Sequence, residues 1–167
     1  METTASGTMR NVKRINIAIE TYMNECLATT DLTAAQGNVL FYVLEHAGAH
    51  STQIHKQLGI SRGTVSGLIK KLREKGYVCF SSCDKDDRQK PILVTEKAKA
   101  LRDALSGWQQ ELDGMIFQDF SQEEQAALNL LLQKMLHNIA PAIARIKKER
   151  EKEESTHEVH FGSGQAV

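Results

Sequence analysis

Residues 61–95 read SRGTVSGLIKKLREKGYVCFSSCDKDDRQKPILVT, and the spacing of their apolar side chains changes from a helical to an alternating pattern. The first part has apolar residues at i, i+3, i+4 and i+7, which predicts a helix with one apolar face. The residues of this face are Val65, Leu68, Ile69 and Leu72. Ser61 is a favourable N-cap, because its hydroxyl can accept a hydrogen bond from an unpaired N–H of the first turn. Gly76 supplies the left-handed residue that commonly follows a helix, so the predicted helix ends before it.

A short β-hairpin is predicted directly after this helix. Residues 77–80 read YVCF and residues 91–94 read PILV, and both segments have the composition of short strands. A polar, charged segment, residues 81–90, connects them. Pro91 has no backbone N–H to donate to a ladder, so it belongs at the start of a strand or on a sheet edge. A basic helix followed by a hairpin with a basic tip is the form of a winged helix.

A second, shorter helix is predicted before the basic helix. Ser51 is the expected cap of this helix, which carries Ile54 and Leu58 and is closed by Gly59. Only a tight turn fits between Leu58 and Ser61, where the basic helix begins. Two helices joined by a short turn that contains glycine are typical of a helix-turn-helix.

Amphipathic helices are predicted on both sides of this unit. Residues 9–27 carry one helical stripe, and residues 33–36 form a capping-box pattern that opens another helix. Thr95 is expected to cap a long helix that ends near Phe120, and a second capping box opens the last helix. The last helix has apolar residues at nearly heptad spacing, which predicts packing of helix on helix. These residues are Leu128, Leu132, Met135, Ile139, Ile143 and Ile146. The predicted fold is therefore mainly α with a small β-hairpin wing.

Charge is distributed unevenly along this chain of 167 residues. The formal net charge is zero, yet residues 56–90 contain nine Lys or Arg against four Asp or Glu. A basic patch on a neutral protein is the electrostatic footprint of phosphate binding. No apolar run approaches the length that crosses a bilayer, and the N-terminus lacks the apolar region of a signal peptide. We therefore expect a cytoplasmic protein with no membrane partner.

The basic helix has the size and charge of a DNA-recognition helix. A helix of about 15 residues fits the major groove, and the N-terminal end of a recognition helix meets the bases. The residues predicted to read base edges are Ser61, Arg62, Thr64 and Ser66. Lys70 and Lys71 are predicted to hold phosphates, and Arg88 and Lys90 to act at the minor groove. A merely solvated basic surface is the alternative, which the preceding turn motif and the basic hairpin disfavour.

These motifs resemble the multiple-antibiotic-resistance-regulator (MarR) family of winged-helix repressors. The resemblance covers about residues 32–101 and rests on four features. They are LT-x-x-Q at 32–36, LGIS-x-x-TV at 58–65, L-x-x-KGYV at 72–78, and D-x-R at 86–88 followed by LVTEK at 93–97. The last of these is the most specific, because it is close to the family's wing signature.

The resemblance implies a homodimer in which the terminal helices of two chains interlock above two winged helices. It also implies a repressor that binds a pseudo-palindromic operator in double-stranded DNA and is released by a small-molecule inducer. The corresponding parts are an N-terminal dimerisation helix (1–30), a winged helix-turn-helix DNA-binding domain (31–95), C-terminal dimerisation helices (96–154) and a disordered tail (155–167). An isologous dimer would place its recognition helices about 34–36 Å apart, one turn of DNA.

The cysteines leave open a redox- or metal-responsive regulator of the same fold. Cys26, Cys79 and Cys83 are an odd set, so a disulfide framework is not expected. A sensor would use one or more of these thiols. Cys26 is interpreted more readily as a small core residue, because it lies on an apolar stripe and near a helix C-terminus, whereas activation would need a positive neighbour or a helix N-terminus. The pair at 79 and 83 lacks the further ligands of a zinc site.

An enzyme is not expected from this sequence. A glycine-rich phosphate loop, a nucleophile elbow and an H-E-x-x-H motif are all missing. Histidines 46, 50 and 55 are not spaced as two ligands on one helix face. We therefore predict no catalytic residues, no metal site and no cofactor.

Overall fold

The computed structural model of the chain describes residues 5–80 and 91–161, with side chains described up to residue 150. These residues form a mainly helical fold with one two-stranded antiparallel sheet. In chain order the elements are α1 (Ala5–Cys26), α2 (Ala34–Glu45), α3 (Ser51–Leu58), α4 (Arg62–Glu74), β1 (Val78–Phe80), β2 (Ile92–Val94), α5 (Glu96–Lys99), α6 (Arg102–Ile116) and α7 (Gln122–Phe161). The predicted fold class is confirmed.

Helix α4 begins and ends as its sequence predicts. The Ser61 hydroxyl accepts a hydrogen bond from the Thr64 N–H at 3.0 Å, which satisfies one unpaired donor of the first turn. Gly76 has a φ of 76°, a left-handed conformation that a side chain would strain. Between these two residues, Val65 and Leu72 are fully buried in the core. The predicted apolar face of the basic helix is therefore real.

The hairpin after α4 is also confirmed. Strands β1 and β2 pair antiparallel, with Val78 opposite Val94 and Phe80 opposite Ile92. The first residue of each strand is buried, so the sheet packs one face on the core. The connection, residues 81–90, lies outside the described residues, and the predicted minor-groove residues Arg88 and Lys90 lie there with it.

A glycine turn joins α3 to α4, as predicted. Gly59 closes α3 with a φ of 66°. The start of α3 differs from the prediction, because His50 and not Ser51 is the N-cap. Gln53 at the third helical position explains this, since its side-chain oxygen accepts the His50 N–H at 2.7 Å.

The long helix predicted between Thr95 and Phe120 is wrong in one respect, because the structure divides it into α5 and α6. Thr95 is the N-cap of α5, as expected. The Leu101 N–H then bonds to the Ala98 carbonyl at 3.0 Å, a tightened turn that ends the short helix. After this turn Arg102 donates to the Leu44 carbonyl at 2.7 Å and so satisfies an acceptor at the end of α2.

The chain forms two compact units, Met1–Ile116 and Phe117–Val167. The core of the first unit takes side chains from α2, α3, α4, both strands, α5 and α6. The largest fully buried side chains are Leu27, Leu40, Ile54, Leu72, Ile92 and Leu105. They hold the helix-turn-helix and the hairpin on one apolar core. In the part of the chain that the structure describes, no helix is both long and apolar enough to cross a membrane.

Helix α7 dominates the second unit and exposes large apolar side chains. None of the side chains described for this helix is buried, and Leu136 is 68% exposed. The second predicted capping box opens it, since Ser121 and Glu124 exchange hydrogen bonds at 2.8 and 3.2 Å. The helical backbone runs to Phe161, whereas the sequence predicted a disordered tail from residue 155. Good helix formers, mainly Glu, Lys and Arg, fill residues 147–154 and favour this extension.

Candidate nucleic-acid interface

Helix α4 has one face in the core and one face in solvent. Val65, Ile69 and Leu72 are buried. The six described residues that the sequence assigns to DNA contacts are all exposed, at the start of α4 and along its outer face. They are Ser61, Arg62, Thr64, Ser66, Lys70 and Lys71. The structure thus exposes the major-groove and phosphate candidates to solvent, and Arg62, Ser66 and Lys70 line one cleft.

The first turn of α4 is held by its own hydroxyl groups. Besides its bond to the Thr64 N–H, Ser61 Oγ lies 2.7 Å from Thr64 Oγ1. This pair fixes the backbone at the end of the helix where bases are read. Arg62 and Ser66 are exposed beside it. Among these four side chains, Arg62 alone carries a charge for bidentate contact with a guanine.

The lysines of α4 extend the polar surface away from the first turn. Lys70 lies 3.9 Å from Glu74, and both side chains are largely exposed. An exposed pair of this kind contributes little to stability, so Lys70 remains available to a phosphate. Lys71 is also exposed. Both ammonium groups lie one or two turns beyond the predicted base-reading end, where a recognition helix meets the backbone of the duplex.

Glycines on this helix are not explained by internal packing. A Cβ added at Gly67 would meet nothing within 4 Å, and at Gly63 the nearest atom is Ser61 Oγ at 3.9 Å. Each glycine costs a helix about 1 kcal/mol relative to alanine. Close approach of an external partner to the helix backbone is consistent with both positions.

A cleft of about 550 Å³ lies between the first turn of α3, the outer side of α4 and the hairpin. Cationic side chains line it on the α4 side, and Arg73 places its guanidinium 5.5 Å from the centre of the Phe80 ring. The other lining residues are Ser51, Thr52, Arg62, Gly63, Ser66, Ile69, Lys70 and Ile92. Hydroxyl and cationic groups over an apolar floor suit the phosphate and sugar of a nucleic-acid backbone.

Sequence reasoning missed several members of this cleft. Ser51 was considered only as a helix cap, Phe80 only as part of a strand, and Thr52 was not considered. Arg73 was counted in the basic patch but given no role. These residues come together through the tertiary packing of α3, α4 and β1, which no local pattern reports. A serine and a threonine at the start of α3 were the available signal.

The turn before α4 is fixed by a histidine. Nδ1 of His55 donates a hydrogen bond to the Ile60 carbonyl, directly before the N-cap residue Ser61. His46 makes a similar bond from Nδ1 to the Tyr42 carbonyl at 2.9 Å and stacks on the Tyr42 ring. Both histidines therefore serve local structure. Within residues 5–80 and 91–150, no three His, Cys, Asp or Glu side chains cluster as metal ligands would.

Two of the three cysteines can be located. Cys79 is exposed on β1, and Cys26 is half-buried at the end of α1, while Cys83 lies outside the described residues. Burial raises the pKa of the Tyr22 hydroxyl, and hydrogen bonds to Cys26 and Glu111 raise it further. Cys26 ends α1, whereas activated thiols are found at helix N-termini or beside positive groups.

Comparison with known proteins agrees with this arrangement. The MarR family model matches residues 30–89. SarZ of Staphylococcus aureus, an HTH-type transcriptional regulator, is 28% identical over 113 residues, which are 68% of this chain and 73% of SarZ. The solved complex of Staphylococcus aureus MepR with DNA has a TM-score of 0.70 at 27% identity and covers 83% of this chain and 98% of MepR. A MarR family regulator from Listeria monocytogenes, complexed with a 26mer DNA, has a TM-score of 0.73 at 24% identity and covers 84% of this chain and 93% of that one.

The helix-turn-helix, the hairpin and the exposed basic face of α4 define a winged-helix DNA-binding protein. Across residues 30–89 the chain is similar to the MarR family, and the comparisons support a DNA-binding transcriptional regulator of that type. The relatives named above are transcriptional regulators or DNA-bound members of that family.

Proposed function

We propose that this regulator is a repressor that binds a pseudo-palindromic operator as a homodimer. The observation that carries the proposal is the exposed side of α4, where Arg62, Ser66 and Lys70 line a cationic cleft. A surface that is basic and furnished with hydroxyl groups suits a sequence-bearing duplex better than an acidic or apolar partner. Such a protein would act in the cytoplasm, where it meets the genes it controls.

Each residue of the surface has a proposed role. Arg62 reads a guanine through its fork of donors, and Ser61, Thr64 and Ser66 contact neighbouring base edges or phosphates. Lys70 and Lys71 neutralise phosphates and give binding its dependence on salt. From the hairpin tip, Arg88 and Lys90 would enter a minor groove, where narrow width raises the negative potential.

The proposal of a homodimer rests on large apolar side chains that are exposed to solvent. Helix α7 exposes Leu136, Ile139 and Ile143, and α1 exposes Ile15 and Ile17. Exposed apolar surface of this extent is unusual in a monomer and marks an interaction site. A second copy would cover it symmetrically, and two recognition helices one DNA turn apart would then read the two halves of a palindrome.

Release by a small molecule is favoured over release by oxidation. A member of the same fold, CouR from Rhodococcus jostii, was solved bound to p-coumaroyl-CoA, at 24% identity and a TM-score of 0.63. Cys26 is the last residue of α1, whereas activated thiols are found at helix N-termini or beside positive groups. We therefore propose a small-molecule inducer whose chemistry is open.

The proposed function is tested by selecting duplexes from a random DNA pool with the wild-type protein. Arg62→Ala should cost about 1–3 kcal/mol of binding to the enriched duplex and relax the preference at one base pair. Lys70→Ala should weaken binding to every sequence and lower the salt slope by about one. Lys13→Ala, an exposed lysine on α1, is the matched control and should bind as the wild type.

The outcome that contradicts the proposal is equally definite. Selection that enriches no sequence would remove the specific operator. Equal losses in Arg62→Ala and Lys13→Ala would show that general charge, and not the face of α4, drives binding.

A further inference from the structure

The exit of α4 is held by side chains from three other segments of the first unit. The helix ends at Glu74, and residues 75–77 turn the chain into β1 through the left-handed Gly76. This exit lies at the opposite end of α4 from the predicted base-reading residues. Its hydrogen-bond partners come from the connection between α1 and α2, from α2 itself, and from the start of α5.

Asp31, in the connection between α1 and α2, makes the central contacts. Its Oδ1 accepts a hydrogen bond from the Tyr77 hydroxyl at 2.6 Å, and its Oδ2 lies 3.6 Å from Lys97 Nζ. Its backbone carbonyl accepts a hydrogen bond from Lys75 Nζ. The same ammonium group donates to Gln36 Oε1 at 2.9 Å, which ties the exit to α2 as well.

The start of α5 closes the arrangement from the other side. Lys97 Nζ donates to the Lys75 carbonyl at 2.9 Å and lies 4.1 Å from the centre of the Tyr77 ring. Thr95 Oγ1 donates to the Gly76 carbonyl at 2.7 Å. Lys75, Gly76 and Tyr77 are therefore each held by a polar contact to an element other than α4.

The bond between Tyr77 and Asp31 joins a buried phenol to an exposed carboxylate. Tyr77 is only 3% exposed, so its hydroxyl has little access to competing water. Burial, and then the bond to Asp31, raise the pKa of Tyr77 to about 12. The Tyr77 hydroxyl in turn lowers the pKa of Asp31, helped by the charges of Lys97 and Lys75. At neutral pH the phenol is therefore protonated and the carboxylate charged, which is a charge-assisted hydrogen bond.

The hydrogen bonds at the exit of α4 restrain the direction of the helix, which burial of its apolar face does not. Burial of Val65, Ile69 and Leu72 stabilises the helix, but apolar burial is non-directional and tolerates small rotations. Hydrogen bonds lose strength steeply when their distance or angle changes. Bonds at one end of a helix therefore fix the direction in which the other end points.

We propose that Asp31 and Tyr77 are positioning residues for operator recognition, which hold the tilt of α4 so that its first turn meets the bases in register. The inference rests on the proposed function of α4 as the base-reading helix. A site that reads base edges must be held within a fraction of an ångström, whereas salt-driven contact with phosphates tolerates a looser helix. Loss of the bond between Tyr77 and Asp31 should therefore reduce specific binding and spare non-specific binding.

The test compares Tyr77→Phe with the wild type on two duplexes. One is enriched by the wild-type protein from a random pool, and the other has the same composition in scrambled order. Tyr77→Phe keeps the buried ring and its contact with Lys97 and removes only the hydroxyl. We expect its affinity for the enriched duplex to fall about tenfold, the loss of one charge-assisted bond, with unchanged affinity for the scrambled duplex. Tyr42→Phe, on α2, is the matched control and should match the wild type on both.

Two variants of Asp31 provide a second test in case Tyr77→Phe impairs folding. Asp31→Asn retains an oxygen acceptor for the Tyr77 hydroxyl and should lose less specific affinity than Asp31→Ala. The double variant Asp31→Ala with Tyr77→Phe should lose no more than the larger of its two single effects, because both changes remove one bond. Cooperative urea unfolding of each variant establishes that it is folded.

Two results would overturn the inference alone. One is wild-type affinity of Tyr77→Phe for the enriched duplex. The other is an equal loss on both duplexes, which would show a general structural role. Failure of the wild-type protein to enrich any sequence would instead overturn the proposed function, and the inference with it.

Discussion

Helices α4 and α7 have similar apolar patterns and opposite environments. In α4 the stripe is covered, and Val65 and Leu72 are fully buried. In α7 the corresponding side chains meet solvent, with Ile139 52% and Ile143 43% exposed. The polar residues of α4 form the proposed DNA surface, whereas the apolar residues of α7 form the proposed dimer surface. An apolar period thus predicts that a face will be covered. The covering surface belongs to the same chain for α4 and, in the proposed homodimer, to a second copy for α7.

The largest effect on the free energy of unfolding is expected from the buried apolar face of α4. Leu72→Ala should lower the free energy of unfolding by about 2–5 kcal/mol, because it removes buried methyl groups and leaves a cavity. Urea unfolding monitored by circular dichroism measures this. Lys71→Ala, the exposed neighbour, should stay within about 0.5 kcal/mol of the wild type. Similar losses in the two variants would contradict the description of α4 as a helix with one buried face.

Substitutions among the exposed apolar residues of α7 should change dimer formation instead. Ile139→Glu with Ile143→Glu should convert a dimer into a monomer, because four charges would face one another across a symmetric apolar interface. Affinity for the enriched duplex should then fall about a hundredfold, since two linked half-sites become one. Sedimentation equilibrium and DNA binding measure the two effects, and Gln133→Glu is the control on the same helix. A double variant that stays dimeric would place the interface elsewhere.

The hydrogen bond between Tyr77 and Asp31 should make the stability of the protein depend on pH in the alkaline range. The Tyr77 pKa of about 12 exceeds the value of about 10 in an unfolded chain. Between these values the folded protein keeps a proton that the unfolded chain has lost, so the stability present below pH 10 declines as pH rises. The pKa of Tyr22 is raised as well, so the comparison is made in a Tyr22→Phe background. There, Tyr77→Phe should make the alkaline decline shallower in urea unfolding, and an unchanged decline would contradict the bond to Asp31.

The smallest expected effect on stability comes from the N-cap residues of the two helices. Ser61 caps α4 and Ser121 caps α7, and replacing either by alanine should cost about 1 kcal/mol of stability. Only Ser61→Ala should also weaken binding to the enriched duplex, because its hydroxyl orders the base-reading turn. Thermal unfolding and DNA titration of both variants separate the two roles. Equal DNA affinity in the two variants would remove Ser61 from the recognition surface.

Local chemistry was sufficient to predict most of the DNA-binding unit. The cap at Ser61, the left-handed glycines at 59 and 76, and the alternation around Pro91 each act within a few residues. They predicted the turn, α4 and both strands correctly. The exposure of the six described residues that are predicted to contact DNA followed from the same helical period.

Interactions between distant residues account for what the sequence did not reveal. The break between α5 and α6 places Arg102 against Leu44, a carbonyl far away in the chain, and the local pattern favoured one continuous helix. His50 caps α3 in place of Ser51 because the Gln53 side chain accepts the His50 N–H. The contact of Asp31 with Tyr77 joins residues more than forty positions apart, so no spacing in the sequence announces it.

Operator reading by α4 is tested most simply by titrating the wild-type protein with the enriched and scrambled duplexes across a salt series and footprinting the complex. We predict tight binding to the enriched duplex that weakens steeply with salt, and protection of two half-sites one helical turn apart. Equal, weak binding to both duplexes, without a defined footprint, would contradict recognition by α4.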